Sequence, residues 1–390
     1  MGIIYIVHYE WKIVLYAKRL RNKRDKVNIN KKNFFIVMLI NCAFFSTIYT
    51  KKILLTGGAG FIGSHVAQKL LERGDSVVIV DNINDGYDES LKRYNLSLVN
   101  ASNKNNQLLI HEIDICDINS IQMLCETEKP DVICHLAARA GVRTSIENPY
   151  EYFRTNIDGT LVIFEAAHKS GIKHIVIASS SSVYGAREDG PFRETDVVDK
   201  QSSPYGMTKR AGELLAYVYH HLFGISITNL RFFTVYGPRG RIDMAPFIFM
   251  NAIYNNQPIT VYGDGNVIRD FTYIDDIVQG IIQAIDHPLG YEIINIGRGE
   301  PIVLNSFISM IEEILQKKAQ IKYVPGFAGD VPKTYAAIEK AQQLFGYKPQ
   351  SFLRQGLEKM YEWYKNEYLL IARRKGVNVV ESVEVHMIEE

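Results

Sequence analysis

Short apolar runs alternate with amphipathic stretches along the chain from residue 51 onward. Runs of this length, apolar at nearly every position, are typical of strands that are buried on both faces. Between them, apolar residues recur at helical spacing, as Ile62, Val66 and Leu70 do within Phe61–Arg73. This alternation predicts an α/β fold, a doubly wound parallel sheet with helices on both faces. The predicted strands are Ile53–Leu55, Val77–Val80, Leu108–Ile110, Val132–His135, Ile175–Ala178 and Ile225–Leu230.

The pattern changes after residue 230, where proline-containing loops precede two further helical stretches, Ser306–Lys318 and Ser351–Tyr368. We therefore predict a nucleotide-binding domain at 51–230 and a smaller mixed substrate lobe at 231–368, interleaved with the sheet. Residues 369–390 are predicted to be a polar tail. Ligands of such sheets bind beyond the carboxyl ends of the strands, so we expect a site between the two parts.

Residues 1–50 differ from the rest of the chain. A stretch rich in Lys, Arg and Asn at 18–32 precedes the uncharged segment 34–50, which is at the short limit for crossing a bilayer. We interpret 1–50 as an accessory N-terminal extension. It is either an upstream addition to the reading frame, with Met38 as an alternative start, or a weak membrane anchor through 34–50. We expect a cytoplasmic protein, with anchoring through 34–50 as the alternative.

The composition is that of an ordinary globular protein. Of 390 residues, 47% are apolar and 22% charged, which allows a sizeable core. The net charge of +1 gives no overall field that would favour nucleic acid. The cysteines Cys42, Cys116, Cys125 and Cys134 show neither a zinc-site spacing nor a disulfide framework, so we expect reduced thiols and no metal.

A glycine-rich segment, Thr56–Gly63, follows the first predicted strand. Gly57, Gly60 and Gly63 are spaced as in a Rossmann turn, where they allow a tight bend, close approach of a pyrophosphate and packing of helix on strand. The next helix would offer its N-terminal N–H groups to phosphates. The second strand ends at Asp81, where a Rossmann carboxylate hydrogen-bonds the adenosine ribose. Because a carboxylate would repel a 2′-phosphate, this Rossmann-type segment predicts NAD rather than NADP.

Tyr205 and Lys209 stand four residues apart in a predicted helix and therefore share one face. An ammonium beside a phenol lowers the pKa of the phenol, which makes the tyrosinate an accessible base. Spacing alone is weak evidence, because Tyr361 and Lys365 repeat it. Tyr205 is distinguished by Ser179–Gly185, a serine-rich segment at the carboxyl end of a buried strand. The alternative interpretation is a serine-rich turn and a surface Tyr–Lys pair.

Several motifs of the chain together resemble the extended short-chain dehydrogenase/reductase family. They are Thr56–Gly63, Asp81, His135–Ala138, Asn156, Ser179–Gly185 and Tyr205–Lys209. The resemblance extends from Lys51 to about Tyr368. Two later segments, Asn229–Pro238 and Arg269–Asp276, are similar to nucleotide-sugar epimerases within that family. The resemblance implies an isomerase that carries out NAD-dependent 4-epimerisation of a nucleotide sugar. The remote alternative is a non-catalytic regulatory protein that binds NAD.

By this resemblance, an NAD site is formed at the ends of several strands. Asp114 and Ile115 stand where the family contacts adenine. Lys209 is implied to hydrogen-bond the nicotinamide ribose while tuning Tyr205. The implied NAD contacts are Gly57, Gly60, Phe61, Ile62, Gly63, Asp81, Asn82, Asp114, Ile115, Ala137, Ala138, Asn156, Tyr205, Lys209 and Phe233.

The family mechanism oxidises and re-reduces one sugar carbon. Tyr205 is implied to remove the proton of the 4-hydroxyl while hydride passes to NAD, and the 4-keto sugar turns before hydride returns. Ser180 is implied to hydrogen-bond the 4-oxygen, with Ser181 and Ser182 left open as alternatives. Dehydratases of this fold carry an acidic residue just after the catalytic Ser or Thr, so serines at these positions favour epimerisation.

Arg269 is the candidate for binding the diphosphate of the substrate. The alternative is a surface salt bridge with Asp270 or Asp276, since such pairs are common and weak.

The sugar is suggested by three segments, Arg139–Arg143, Pro238–Ala245 and Phe327–Val331, which resemble UDP-glucuronate 4-epimerases. Arg241 is the candidate for holding a uronate carboxylate in fork geometry, with Thr234 as a hydroxyl partner. Such a clamp would hold the carboxylate of the 4-keto uronate, a β-keto acid, away from the alignment that leads to decarboxylation.

The pattern departs from those enzymes at Arg139 and Arg239, where they often carry Gln and Trp. UDP-glucose or UDP-N-acetylglucosamine therefore remains the alternative substrate. Relatives pair through two long helices, so we expect a homodimer through Gly159–Lys169 and Ser203–Phe223, although these apolar faces could equally belong to the core.

Overall fold

The computed structural model describes residues 50–84, 88–326 and 331–374. The predictions for residues 1–49, including the membrane anchor, for the segment 327–330 and for the chain beyond 374 lie outside the described residues. The predicted tail begins too early, because Leu369–Arg374 is still helical. Leu369 and Ala372 are buried in the main core, which explains why the helix continues.

Seven parallel strands form the main sheet, which confirms the predicted fold class. The strands of the described residues are β1 (Lys52–Thr56), β2 (Ser76–Asp81), β3 (Leu108–Glu112), β4 (Val132–His135), β5 (His174–Ser180), β6 (Ser226–Phe232), β7 (Thr234–Tyr236), β8 (Pro258–Tyr262), β9 (Ile268–Tyr273), β10 (Tyr291–Ile296), β11 (Pro301–Val303) and β12 (Gln320–Val324). The main sheet has the order β10-β6-β5-β4-β1-β2-β3, β11-β9-β7 form a second sheet, and β12-β8 a third. The reversal of strand order between β1 and β4 places a crevice beyond their carboxyl ends.

Helices connect the strands. They are α1 (Phe61–Arg73), α2 (Glu89–Ala101), α3 (Ile118–Glu128), α4 (Val142–Glu147), α5 (Pro149–Phe153), α6 (Gly159–Lys169), α7 (Pro204–Phe223), α8 (Ala245–Tyr254), α9 (Ile274–Asp286), α10 (Leu304–Leu315), α11 (Glu339–Phe345), α12 (Leu353–Trp363) and α13 (Leu369–Arg374). Wider helical turns at Arg154–Asp158 and Tyr364–Tyr368 join α5 to α6 and α12 to α13. The prediction for α1 is confirmed at both ends, because Gly74 stops it in the left-handed conformation at φ 97°.

The core lies on both faces of the main sheet. Successive residues of a strand point to opposite faces, so Ile53 and Leu55 belong to one buried cluster and Leu54 to the other. This two-sided burial is why the strands are apolar at nearly every position. No helix among residues 50–84, 88–326 and 331–374 has the length and apolarity needed to cross a membrane.

The edge strand β10 was missing from the predicted strands. As an edge strand, β10 pairs with β6 on one side only. Its apolar residues can therefore be interrupted by Glu292 and Asn295, whose polar groups have hydrogen-bond partners. The Asn295 amide, for example, donates to the Phe192 carbonyl oxygen at 2.8 Å. The chain after residue 230 therefore contributes both to the main sheet and to the two small sheets.

Candidate active site

The glycine-rich turn connects β1 to α1 in a conformation that requires glycine. Gly57 has φ 73°, and a Cβ on Gly63 would lie 2.1 Å from the Gly57 carbonyl oxygen. Asp81 holds the turn from β2, because its carboxylate accepts the N–H groups of Ala59 at 3.0 Å and Ile83 at 2.9 Å. The turn is thus a rigid backbone cradle at the N-terminus of a helix, with a carboxylate beside it.

A cavity of about 1270 Å³ opens at this turn, beyond the carboxyl ends of the main-sheet strands. It is large for a small-molecule site, and it extends from the glycine-rich turn to residues of α8, β8 and β9. The sequence-predicted residues that line it are Gly57, Gly60, Phe61, Ile62, Gly63, Asp81, Asn82, Asp114, Ile115, Ala137, Ala138, Ser180, Ser181, Ser182, Tyr205, Lys209, Phe233, Thr234, Arg241 and Arg269.

Asn156 lies behind the cavity wall, in the wider turn before α6, and is buried. Its side-chain oxygen accepts the Arg139 N–H at 2.8 Å, and its amide donates to the Arg139 carbonyl oxygen at 2.9 Å and to the Thr208 hydroxyl at 3.0 Å. Asn156 therefore ties the loop after β4 to α7, next to Lys209, so it supports the wall of the cavity.

Helix α7 brings Tyr205 and Lys209 into the cavity. Ser203 caps the helix with its side chain. The Tyr205 N–H donates to the Ser145 hydroxyl at 3.1 Å, and Lys209 Nζ donates to the Ala178 carbonyl oxygen at 2.9 Å. The first turns of the helix are thus attached both to α4 and to the end of β5.

Ser180 is the serine of the cluster that acts on the pKa of Tyr205. It ends β5, and its side chain lowers the pKa of the Tyr205 phenol, which favours the tyrosinate. Its hydroxyl also accepts the Ser182 N–H at 3.1 Å and donates to the Ser182 hydroxyl at 3.2 Å. Ser181 and Ser182 line the same cavity from the following turn.

Burial dominates the ionisation of this group. It raises the pKa of Tyr205 above the usual value, and the hydrogen bond from Ser180 and the charge of Arg241 oppose that rise. Burial also lowers the pKa of Lys209 to about 8, against the opposing charge of Glu213. The spacing predicted that the Lys209 ammonium would lower the pKa of the phenol, whereas the groups that lower it in the folded chain are Ser180 and Arg241, and desolvation outweighs both.

Arg241 lines the same cavity, and its guanidinium is paired with the carboxylate of Asp243. Its Nε donates to Asp243 Oδ1 at 2.9 Å and its Nη2 to Asp243 Oδ2, forming a bidentate pair. Nη2 also donates to the Ala140 carbonyl oxygen at 2.9 Å. Arg241, which was predicted to hold the uronate carboxylate, is thus oriented by the carboxylate of Asp243. Asp243, two residues further along the chain, was not identified from the sequence.

Arg269 lies on β9 and lines the cavity, where its Nη1 donates to the Ile268 carbonyl oxygen at 2.9 Å. The two acids considered as its partners have other roles. Asp270 is buried and accepts backbone N–H groups, including that of Gly299 at 2.8 Å. Asp276 accepts the Gln350 N–H at 2.8 Å. The structure therefore shows both carboxylates fixing loops.

Residues 53–297 match the family described as the NAD dependent epimerase/dehydratase family. The chain belongs to this family. It is an NAD-dependent enzyme, and the predictions of family and cofactor are confirmed. The site of this family member fits the cofactor, because a Cβ at Gly57 or Gly63 would enter neighbouring backbone and the Asp81 carboxylate lines the cavity.

Similar proteins carry a more specific name. The UDP-glucuronate 4-epimerase of Thermodesulfobacterium geofontis is 45% identical over 319 residues, which cover 82% of this chain and 97% of the relative. UDP-glucuronate 4-epimerase 1 of Arabidopsis thaliana is 41% identical over 335 residues, covering 81% of this chain and 77% of the relative.

The fold also matches solved structures. UDP-glucuronic acid 4-epimerase from Bacillus cereus, in complex with UDP-glucuronic acid and NAD, superposes with a TM-score of 0.75 at 38% identity, covering 80% of this chain and 99% of that chain. UDP-glucose 4-epimerase from Thermotoga maritima, with UDP-glucose, gives a TM-score of 0.73 at 32% identity, with 80% and 98% covered.

No group of three or more His, Cys, Asp or Glu side chains that could hold a metal ion occurs among the residues the structure describes. Two of the cysteines, Cys125 and Cys134, are buried. Burial raises the pKa of the Cys125 thiol to about 11, so this thiol is a packing group rather than a nucleophile.

Proposed function

We propose that this enzyme converts UDP-glucuronate to UDP-galacturonate by epimerisation at C4. The observation that carries the proposal is the position of Arg241, whose charge acts on Tyr205 within the NAD cavity. The carboxylate of UDP-glucuronate is attached to C5, which is bonded to the reacting carbon C4. A guanidinium next to the proposed base is therefore suited to bind that carboxylate. The relatives named for the same reaction support it.

The proposed chemistry uses three side chains of the cavity. Tyr205 takes the proton of the 4-hydroxyl, and Ser180, whose side chain lowers the pKa of the phenol, hydrogen-bonds the same oxygen as it becomes a carbonyl. Lys209 keeps a positive charge beside the phenolate and holds the nicotinamide ribose. NAD, when bound, would supply the hydride acceptor and donor for C4. After the 4-keto sugar turns, hydride would return to C4 on the opposite face while Tyr205 gives its proton back to the 4-oxygen, so the reaction has no net redox change.

The other predicted residues hold the two ligands. Asp81 binds the adenosine ribose and Asp114 with Ile115 the adenine, while Arg269 binds the diphosphate of the substrate. Serines at 181 and 182 provide no carboxylate after Ser180 for elimination of water, which favours epimerisation over dehydration.

Arg241 and Thr234 hold the carboxylate of the sugar. The Nε–Nη2 edge of the guanidinium is engaged by Asp243, so Nη1 is the donor we assign to the substrate. Asp243 fixes the plane of the guanidinium, and the 4-keto uronate is thereby kept out of the geometry in which the carboxylate leaves as carbon dioxide.

Epimerisation of UDP-glucose is the second candidate. The observation in its favour is that Asp243 already neutralises Arg241, which could therefore face a neutral hydroxymethyl group. A non-catalytic NAD-binding role is less well supported, because Tyr205, Lys209 and Ser180 are all present and meet in one cavity.

A homodimer through α6 and α7 belongs to the proposal. The exposed face of α7 carries large apolar side chains at helical spacing, and α6 adds a further one beside it. These are Leu214, Tyr217, Val218 and Leu222 of α7 and Leu161 of α6.

The test is incubation of the purified full chain with UDP-glucuronate, UDP-glucose and UDP-N-acetylglucosamine separately, with products followed by NMR. We expect conversion of UDP-glucuronate to its 4-epimer without release of carbon dioxide. Tyr205→Phe should abolish turnover while NAD stays bound. Conversion of a neutral sugar alone would contradict the assigned substrate, and turnover retained by Tyr205→Phe would contradict the assigned base.

A further inference from the structure

A buried acid, Glu213, lies on α7 directly behind the proposed catalytic pair. It follows Lys209 by four residues and Tyr205 by eight, so the three side chains lie on one side of the helix. Glu213 is 1% exposed. Its carboxylate accepts a bidentate pair of hydrogen bonds from Arg231, at 2.7 Å from Nε and 2.8 Å from Nη2, and a further one from Arg210 at 2.9 Å.

The partner, Arg231, comes from the second strand of the main sheet, next to the edge strand β10. It lies on β6, is 1% exposed, and its guanidinium is 4.7 Å from the centre of the Tyr184 ring. A buried ion pair loses its hydration, and well-packed apolar side chains often stabilise a fold equally well. Stability alone therefore does not explain why charges are kept at this position.

Helix α7 meets the end of β5 at three consecutive residues. Lys209 donates to the Ala178 carbonyl oxygen at 2.9 Å. The Ser179 hydroxyl donates to Glu213 Oε1 at 2.7 Å. The next residue of the strand, Ser180, lines the same cavity as Tyr205, and its side chain lowers the pKa of the phenol. Glu213 thus holds Ser179, which stands between the residue that binds Lys209 and the proposed catalytic Ser180.

From this geometry we infer that Glu213, held by Arg231, is a positioning residue that aligns Ser180 with Tyr205 and supports the charged form of the Lys209 amine. The inference rests on the proposed function only in assigning Tyr205, Lys209 and Ser180 to the reaction.

The charges around Lys209 agree with this role. Burial lowers the pKa of Lys209 to about 8, and the Glu213 carboxylate is the group that opposes the fall. Although burial also acts on Glu213, its hydrogen bonds from Arg231 keep its pKa below the usual value, so it is charged at neutral pH.

The other groups that face this part of α7 come from β4, α5 and the loop before α8. His135 on β4 is buried, which lowers its pKa to about 3 and leaves it neutral. Tyr152 on α5 packs edge-on against Tyr205 at 6.2 Å between ring centres. Arg241 is fixed to Asp243 and acts on Tyr205. Glu213 is therefore the anion that supports the Lys209 charge.

The test is Glu213→Gln in the full chain, since Gln keeps the shape of the side chain and removes its charge. Two unit charges about 6 Å apart at an effective dielectric of about 20 shift a pKa by about one to two units. We expect the alkaline limb of the kcat profile to move down by about that amount. At pH 8 the rate should then fall about tenfold, while near pH 6 it should approach that of the wild type.

Two controls separate this effect from a general loss of stability. Asp75→Asn removes a carboxylate that is 1% exposed and paired with Arg73 at 2.6 Å, at the opposite end of the sheet, and should leave the profile in place. Glu213→Gln combined with Arg231→Met removes both charges of the buried pair, so Arg231 is not left without its partner, and this provides a folded variant if the single change does not fold. Its alkaline limb should still move down.

A second readout does not depend on turnover. The protein is labelled with ¹³C-lysine, and the ε-carbon signal of Lys209 is identified as the one that disappears in Lys209→Met. This signal should titrate near pH 8 in the wild type and at lower pH in Glu213→Gln. An unmoved titration would overturn the inference, as would an activity loss equal at every pH. Lack of turnover with every UDP-sugar by the wild type would instead count against the proposed function, and the lysine titration would still decide the role of Glu213.

Discussion

Arg241→Lys tests the assigned substrate most directly. The change keeps the positive charge but removes the planar fork, so the bidentate pair with Asp243 and the Nη1 donor assigned to the substrate are both lost. A hydrogen bond to a charged group contributes about 1.5–3 kcal/mol. Loss of one such bond predicts a fall of about 10- to 150-fold in kcat/KM for UDP-glucuronate. For UDP-glucose, which lacks the carboxylate, any turnover should change by less than about threefold.

The assay follows both sugars by NMR and uses UDP-glucuronate labelled with ¹³C at C6 to measure released carbon dioxide. Because the guanidinium is proposed to hold the carboxylate of the 4-keto uronate, the variant should release more carbon dioxide per turnover than the wild type. The reasoning is refuted if both sugars lose activity equally, or if the rate with UDP-glucuronate is unchanged.

A matched control for this change exists in the chain. Arg187 forms the same two-residue fork, from Nε to Asp189 Oδ1 at 2.9 Å and from Nη2 to Oδ2 at 2.7 Å, and is absent from the lining of the cavity. Arg187→Lys breaks an equivalent pair, so it should leave kcat/KM for both sugars unchanged. A loss of activity here would mean that breaking such a fork has a general effect.

Three further outcomes are expected. Gly63→Ala places a Cβ 2.1 Å from the Gly57 carbonyl oxygen, so α1 must shift and the purified protein should carry little NAD, measured by absorbance after release. Leu214→Glu with Leu222→Glu should give a monomer by light scattering, since both side chains lie on the proposed dimer face. The wild-type rate should fall above about pH 8, because Lys209 has a pKa lowered to about 8 and loses its charge there, and it should be restored on return to pH 7.

The sequence by itself determined the elements whose local pattern is strong. Five of the first six strands of the main sheet are buried along most of their length, so their apolar runs could be recognised without knowing their neighbours. The sixth, the edge strand β3, was recognised from its apolar residues although Leu109 and Ile110 are exposed. The turn at Gly57 requires a positive φ that glycine adopts readily, and the predicted NAD-binding segment follows from it. Tyr205 and Lys209 share one helical face for reasons of spacing alone.

The tertiary structure decided which distant groups meet. Glu213 could have been noted one turn after Lys209, but its pairing with Arg231 depends on how α7 packs on β6. Asn156 is a predicted cofactor contact in the motif, and only the fold shows that its amide also donates to Arg139 and Thr208. The pKa of Tyr205 likewise depends on burial, which is a property of the packed chain. Local patterns are short-range and periodic, so they can be recognised in the sequence. Desolvation and ion pairing depend on residues far apart in sequence, so the pKa of Tyr205 and the pairing of Glu213 could not be derived from the sequence.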